Sequence, residues 1–151
     1  MEVSSMLLAI VGSFLAALGF GVLFNIKGKN LVLAAIGGML GAMMYRLALV
    51  LGCGEMTSML LGSVSLSLYA EILARVCHTP VTTFLVCALI PLVPGGGMYR
   101  TMLAAIQGHV LEALTIGVET MAIAGILVLG ILMVSTLMKA IFRPKKVSDA
   151  A

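Results

Sequence analysis

The chain has no tryptophan, and only 10% of its 151 residues are charged. Soluble globular domains carry about 25% charged residues, so a content this low leaves too little polar surface to face water on all sides. Cysteine is scarce and odd in number. Cys53, Cys77 and Cys87 lie within or beside apolar runs, with no C-x-x-C spacing. A disulfide framework is excluded, and the three read as small apolar fillers. There is no G-x-x-x-x-G-K-[ST] loop, so energy from a bound nucleotide is not expected. No nucleophile–base pair and no cluster of metal ligands is visible, which argues against an enzyme. No cofactor, no metal and no nucleic-acid partner are expected.

What is present is apolar. Hydrophobic residues make up 62% of the chain, and the mean hydropathy is +1.21. This composition is that of an integral membrane protein, with the lipid bilayer as its first partner. A helix needs about 20 residues to cross a bilayer, so the length permits about five crossings. Five apolar spans are readable, at residues 5–24, 31–51, 57–76, 81–93 and 117–138. The expected fold class is all-α, a polytopic membrane helix bundle of about five transmembrane helices in a single membrane domain over 1–151. The first run lacks a basic leading region and exceeds the usual signal-peptide length, so it is read as a retained first helix. Breaker residues mark the turns: Asn25 to Asn30, Gly52-Cys53-Gly54-Glu55, and His78-Thr79-Pro80. Thr57 or Ser58 is the expected N-cap of the third helix. Residues 99–114 are helical and of mixed polarity, either interfacial or the second half of a broken helix.

Placing the N-terminus outside and the C-terminus in the cytoplasm puts Lys27, Lys29, Arg75, Lys139, Arg143, Lys145 and Lys146 on the cytoplasmic side. This satisfies the positive-inside rule for all of the nine basic residues except Arg46 and Arg100. The tail 139–151 is then a cytoplasmic anchor. Glu2, Glu55 and Glu112 fall outside.

The most informative stretch is VTTFLVCALIPLVPGGGMYRTML, residues 81–103. An apolar helix runs into Pro91 and Pro94, passes Gly95, Gly96 and Gly97, and is expected to resume at Met98. Neither proline can donate a backbone hydrogen bond, and each frees a carbonyl one turn earlier. The glycines permit positive φ. Backbone that leaves the helix at bilayer depth must be buried in protein or line a watery cavity. Broken helices of this kind form the substrate sites of many secondary transporters. The restarting helix turns its positive end toward the break, an arrangement suited to a carboxylate. Tyr99 and Arg100 stand beside it. The candidate substrate site is therefore Pro91, Pro94, Gly95, Gly96, Gly97, Tyr99 and Arg100. The competing reading is a kinked helix followed by an ordinary re-entrant loop.

Two polar stripes interrupt the apolar pattern. Ser63, Ser67, Glu71, Arg75 and His78 share one face of the third helix, with Glu71 four residues before Arg75, the favourable order for an ion pair. Facing lipid such a stripe is costly, so it is expected to face protein or water, as a structural salt bridge or as part of a solute path or gate. The second stripe is His109, Glu112, Ile116 and Glu119. A carboxyl held near a membrane interior favours its protonated form, which makes Glu119 a candidate proton carrier. Hydration at the outer interface is the alternative. Glu71, Arg75, His109, Glu112 and Glu119 form the candidate coupling or ion pathway. Small residues at Ala9, Ser13, Ala17 and Gly21, and the pair Gly37 and Gly41, mark close helix packing or a dimer seam.

The block Pro91-Leu92-Val93-Pro94-Gly95 followed by Tyr99 resembles the signature of the threonine/serine exporter family. Gly21-Val22-Leu23-Phe24-Asn25 with Leu31 and Gly37-Gly38, and Leu73-Ala74-Arg75 followed by Pro80, are also similar to that family. The resemblance covers about residues 15–105. Two features depart from it: Lys27-Gly28-Lys29 replaces a turn that often holds Pro and Arg, and methionines replace an aromatic after the paired glycines. The resemblance implies export of threonine, serine or a related carboxylate such as succinate across the bacterial inner membrane. It also implies the split form of the family, in which a small subunit of this size works with a larger multi-span subunit. Five spans without an obvious internal repeat fit one half of such a transporter. A homo-oligomeric small transporter or channel, and a structural membrane subunit with no site of its own, are the other classes left open.

Overall fold

The computed structural model describes residues 2–142, and among them there are six α-helices and no strand. They are α1 (Glu2–Leu23), α2 (Lys29–Val50), α3 (Glu55–Val76), α4 (Val81–Leu89), α5 (Gly95–Ile106) and α6 (Val110–Ile141). A 3-10 turn, Ile90–Leu92, continues α4. Arg143, Lys145 and Lys146 of the basic tail lie outside the described residues, as does the side chain of Glu2. Four helices are long and apolar enough to cross a membrane, and the bent pair Val81–Leu92 and Gly95–Ile106 makes a fifth crossing if it counts as one.

Helices α1, α2, α3 and α5 end the same way. A residue in the left-handed region follows each last turn: Asn25, Gly52, His78 and Gly108. The next amide then reaches back to a carbonyl of the closing turn. The bonds are Ile26 N–H to Gly21 C=O at 2.9 Å, Cys53 N–H to Ala48 at 3.0 Å, Thr79 N–H to Ala74 at 3.0 Å and His109 N–H to Ala104 at 2.9 Å. This Schellman geometry satisfies orphan carbonyls where water is scarce.

Gly108 also corrects the expected 99–114 stretch. That segment is two helices joined by a tight turn, so α6 begins at Val110 and runs for 32 residues, well before the expected start at residue 117. The third helix likewise begins earlier, at Glu55, with Gly54 as its N-cap. Neither Thr57 nor Ser58 caps it; the Ser58 hydroxyl donates instead to Gly54 C=O at 3.0 Å.

Helices α2, α3 and α4 form the centre, with α1 packed on α2 and α6 on α3. The packing depends on missing side chains. A Cβ on Gly38 would lie 2.7 Å from Ala17 Cβ, and one on Gly37 3.1 Å from the Tyr69 ring. A Cβ on Gly41 would lie 3.0 Å from Leu66, and one on Gly62 3.1 Å from the Gly41 carbonyl oxygen. The Gly37 and Gly41 face is thus filled within the chain.

Helix α6 runs parallel to α3: Gly130 lies against Ser63, and Phe142 lies under the Arg75 guanidinium, 4.7 Å from its ring centre. The bent pair therefore carries the chain from the Arg75 end of the bundle to the other end. At about 1.5 Å per residue, α3 spans about 33 Å and α6 about 48 Å. The first third of α6 thus rises past the start of α3, with α5 folded back against it. Gly97 packs on Thr120, and Gly117 on Thr101.

Gly62→Val places its branch against a backbone carbonyl that cannot rotate away, and overpacking of this kind costs about 1–3 kcal/mol. At Gly125 an added Cβ meets nothing within 4 Å, and Gly125→Ala is expected to be neutral or to gain about 0.4–1 kcal/mol. Unfolding midpoints in detergent, measured side by side, check both.

Candidate functional site

The helix break is built from local backbone chemistry. Pro91 is the second residue of the 3-10 turn, and Val93 N–H bonds Ile90 C=O at 3.2 Å. That bond takes up the carbonyl that Pro94 leaves free. Helix α5 starts at Gly95, three residues before the expected restart at Met98, and its axis bends by 49° from the preceding pair of elements. Its first intrahelical bond runs from Met98 N–H to Pro94 C=O at 3.2 Å, while Gly95 N–H contacts Val93 C=O at 2.7 Å. The amides of Gly96 and Gly97 precede that first bond, and no side chain caps them.

The glycines do not serve as left-handed residues here. Positive φ among the described glycines occurs at Gly28, Gly52 and Gly108. At the break they act through the absence of a side chain. A Cβ on Gly97 would run into the Thr120 hydroxyl and lie 3.0 Å from its methyl carbon, whereas Gly95 and Gly96 have nothing within 4 Å. Gly97 lets α5 close on α6, and Gly96 faces open space.

That space is a cavity of ≈ 390 Å³. Residues 91–97 and Arg100 form one side of it, and Ile116, Glu119, Thr120 and Ile123 of α6 flank them. Tyr45 and Arg46 near the end of α2, Glu55 and Met59 at the start of α3, and Ala9 and Ser13 of α1 also line it. Arg100 Nε donates to Gly96 C=O at 3.3 Å, and Tyr45 Oη reaches Glu55 Oε1 at 3.5 Å. The Thr120 and Ser13 hydroxyls donate into their own helices, to Ile116 and Ala9. The cavity thus combines two arginines, two carboxylates, free helix-end amides and an apolar floor.

Of the residues expected from the sequence, Pro91, Pro94, Gly95, Gly96, Gly97, Arg100 and Glu119 come together here. Tyr99 does not; it is 67% exposed and off the cavity lining. Glu71 and Arg75 sit toward the opposite end of α3. The ion pair expected from their spacing forms there, Arg75 Nη1 to Glu71 Oε2 at 2.7 Å, with the carboxylate buried. His109 and Glu112 pair at 3.4 Å near the tip of the α5–α6 hairpin, both 62% exposed. Among the described residues, no three His, Cys, Asp or Glu side chains gather as a metal site. Among the polar lining residues, Ser13, Tyr45, Glu55 and Thr120 are not part of the site expected from sequence. Arg46 and Arg100, the two basic residues that depart from the charge asymmetry, both border this cavity.

The Glu71 carboxylate holds Arg75 alongside the Glu71 backbone carbonyl. Glu71→Ala removes a charge-assisted bond worth about 1.5–3 kcal/mol, and Glu71→Gln, which keeps an acceptor, loses less. Unfolding midpoints of the two variants in detergent test that order.

The sequence profile described as Threonine/Serine exporter, ThrE, matches residues 9–137. No curated protein and no solved structure matches the chain. The match spans all of the elements that build the cavity, from α1 to nearly the end of α6. The chain therefore belongs to the threonine/serine exporter family, whose members are membrane transporters.

Proposed function

We propose that this chain is one half of a bacterial inner-membrane exporter of threonine- and serine-type amino acids, working with a larger multi-span subunit. The observation that carries the reading is the set of unbonded amides at Gly96 and Gly97, which open onto a cavity that Arg100 also borders. A substrate carboxylate docks on these amides and on the Arg100 guanidinium, the helix end adding its favourable field. Pro91 and Pro94 keep the break open, and Gly95 and Gly96 keep it uncrowded. The apolar floor of Met59 and Ile123 accepts the substrate's carbon skeleton.

Glu119 is the coupling carboxyl we retain, because it borders the same cavity as the substrate. Glu71 is neutralised by Arg75 at the far end of α3, and the His109 and Glu112 pair stands at the hairpin tip. Energy then comes from an ion gradient. In our reading the N-terminus is outside, so the cavity opens outward and the Arg75 end faces the cytoplasm. Support for this orientation comes from Lys27, Lys29, Arg75 and Lys139, which gather at or beyond that end. The larger partner is supported by the number of crossings and by a cavity bounded on one side only by the α5–α6 hairpin.

Uptake of labelled threonine, serine and succinate into inverted vesicles, with and without the larger subunit, tests the reading. Partner-dependent accumulation that Gly96→Leu abolishes, with assembly unchanged, is the expected result. Equal transport by this chain alone points to a homo-oligomer. Transport that ignores Gly96→Leu moves the site to the partner. Orientation has its own check: Cys53 and Cys77 lie at opposite ends and Cys87 is buried. A membrane-impermeant maleimide added to intact cells is expected to label Cys53 and not Cys77.

A further inference from the structure

Four charged side chains border the cavity, and no ion pair forms among them. Arg46 and Glu55 stand on the α2–α3 wall, and Arg100 and Glu119 on the α5–α6 wall. Among the described residues, ion pairs close at Glu71 with Arg75 and at His109 with Glu112. All four are exposed, so each keeps its hydration while the cavity holds no ligand. Two of the four are cationic and two anionic, and a bound ligand can draw on both signs. Arg46 makes no hydrogen bond or ion pair to any described residue, although its neighbour Tyr45 reaches Glu55 at 3.5 Å. The four formal charges sum to zero, so the cavity offers no net attraction to an ion of one sign. It offers separate sites for both signs.

We propose that Arg46 and Glu55, which line the same cavity as the broken helix, are specificity-determining residues that read the two charges of a zwitterionic ligand. The inference rests on the reading of this cavity as the transport site. Arg46 supplies the carboxylate with a second guanidinium besides that of Arg100 and the glycine amides. Glu55, oriented by the Tyr45 hydroxyl, receives the ammonium. A ligand bearing a single charge leaves an arginine or a carboxylate desolvated without a partner, and rejection on that ground is stronger than rejection by shape. A dicarboxylate satisfies the arginines and meets two carboxylates.

The test is threonine transport into inverted vesicles holding the complete transporter, with two competitors. Hydroxybutyrate lacks the amine, and aminopropanol lacks the carboxylate. In the wild type each is expected to compete far more weakly than threonine. Arg46→Gln is expected to raise the KM for threonine by about tenfold or more, the size of a lost charge-assisted hydrogen bond. It should also abolish competition by hydroxybutyrate while sparing that by aminopropanol. Glu55→Gln is expected to do the converse, and Arg46→Lys to recover part of the loss. KM and the competition pattern do not depend on how much protein assembles, so poor insertion does not imitate the result. A wild-type transporter that moves threonine, with Arg46→Gln unchanged in KM and in competition, overturns this inference alone. A wild type that moves no threonine overturns the transport reading, and this inference with it.

Discussion

A peptide group inside a bilayer has no water to bond, and leaving one unpaired costs several kcal/mol. The interruption between α4 and α5 therefore dictates what surrounds it. Phe84, Cys87, Ala88 and Leu92, on the approach to the break, are buried. The neighbouring helices admit them through glycine. A Cβ on Gly38 would lie 3.5 Å from the Pro91 ring, and a Cβ on Gly41 or Gly62 would meet Leu92 at 3.3 or 3.0 Å. The small residues of α2 and α3 thus make room for irregular backbone as well as for one another.

Once the break is enclosed from one side, its other side opens. The bundle then has two unlike ends. At one, charged residues and unbonded amides border a cavity. At the other, Glu71 is buried under Arg75, and Arg75 is covered by the Phe142 ring. The polar face of α3 connects the two regions along α6, where Ser63 and Ser67 are buried. Burial of this stripe between helices is what the cost of polar groups in lipid demands.

Helix α5 and the first third of α6 stand apart from this core. Their packing is internal, through Gly97 on Thr120 and Gly117 on Thr101, and each contact brings a hydroxyl-bearing side chain against a glycine. The same contact that closes the hairpin sets Arg100 and Glu119 on the cavity side. Local helix packing and the chemistry of the cavity therefore share one set of residues, Gly97 and Thr120 among them.

Much of this was legible in the residues. Apolar runs of crossing length and breaker residues at the turns specified an all-helical membrane bundle, because the cost of unbonded backbone in lipid leaves few alternatives. The prolines and glycines of 91–97 identified the break, and the spacing of Glu71 and Arg75 identified their ion pair, since both are consequences of local backbone geometry. Gly108, a single stop signal within an otherwise helical stretch, ends α5 and lets α6 begin at Val110. Which charged residues share the cavity is fixed instead by how the helices pack. Tyr99 and Arg100 are adjacent in the chain, yet one faces away from the cavity and the other borders it. Arg46 and Glu55 reach the site from another hairpin altogether. Sequence spacing orders residues along one helix face, but a cavity is made where several helices converge. Their relative rotation is set by the packing of glycine surfaces, which no single helix records.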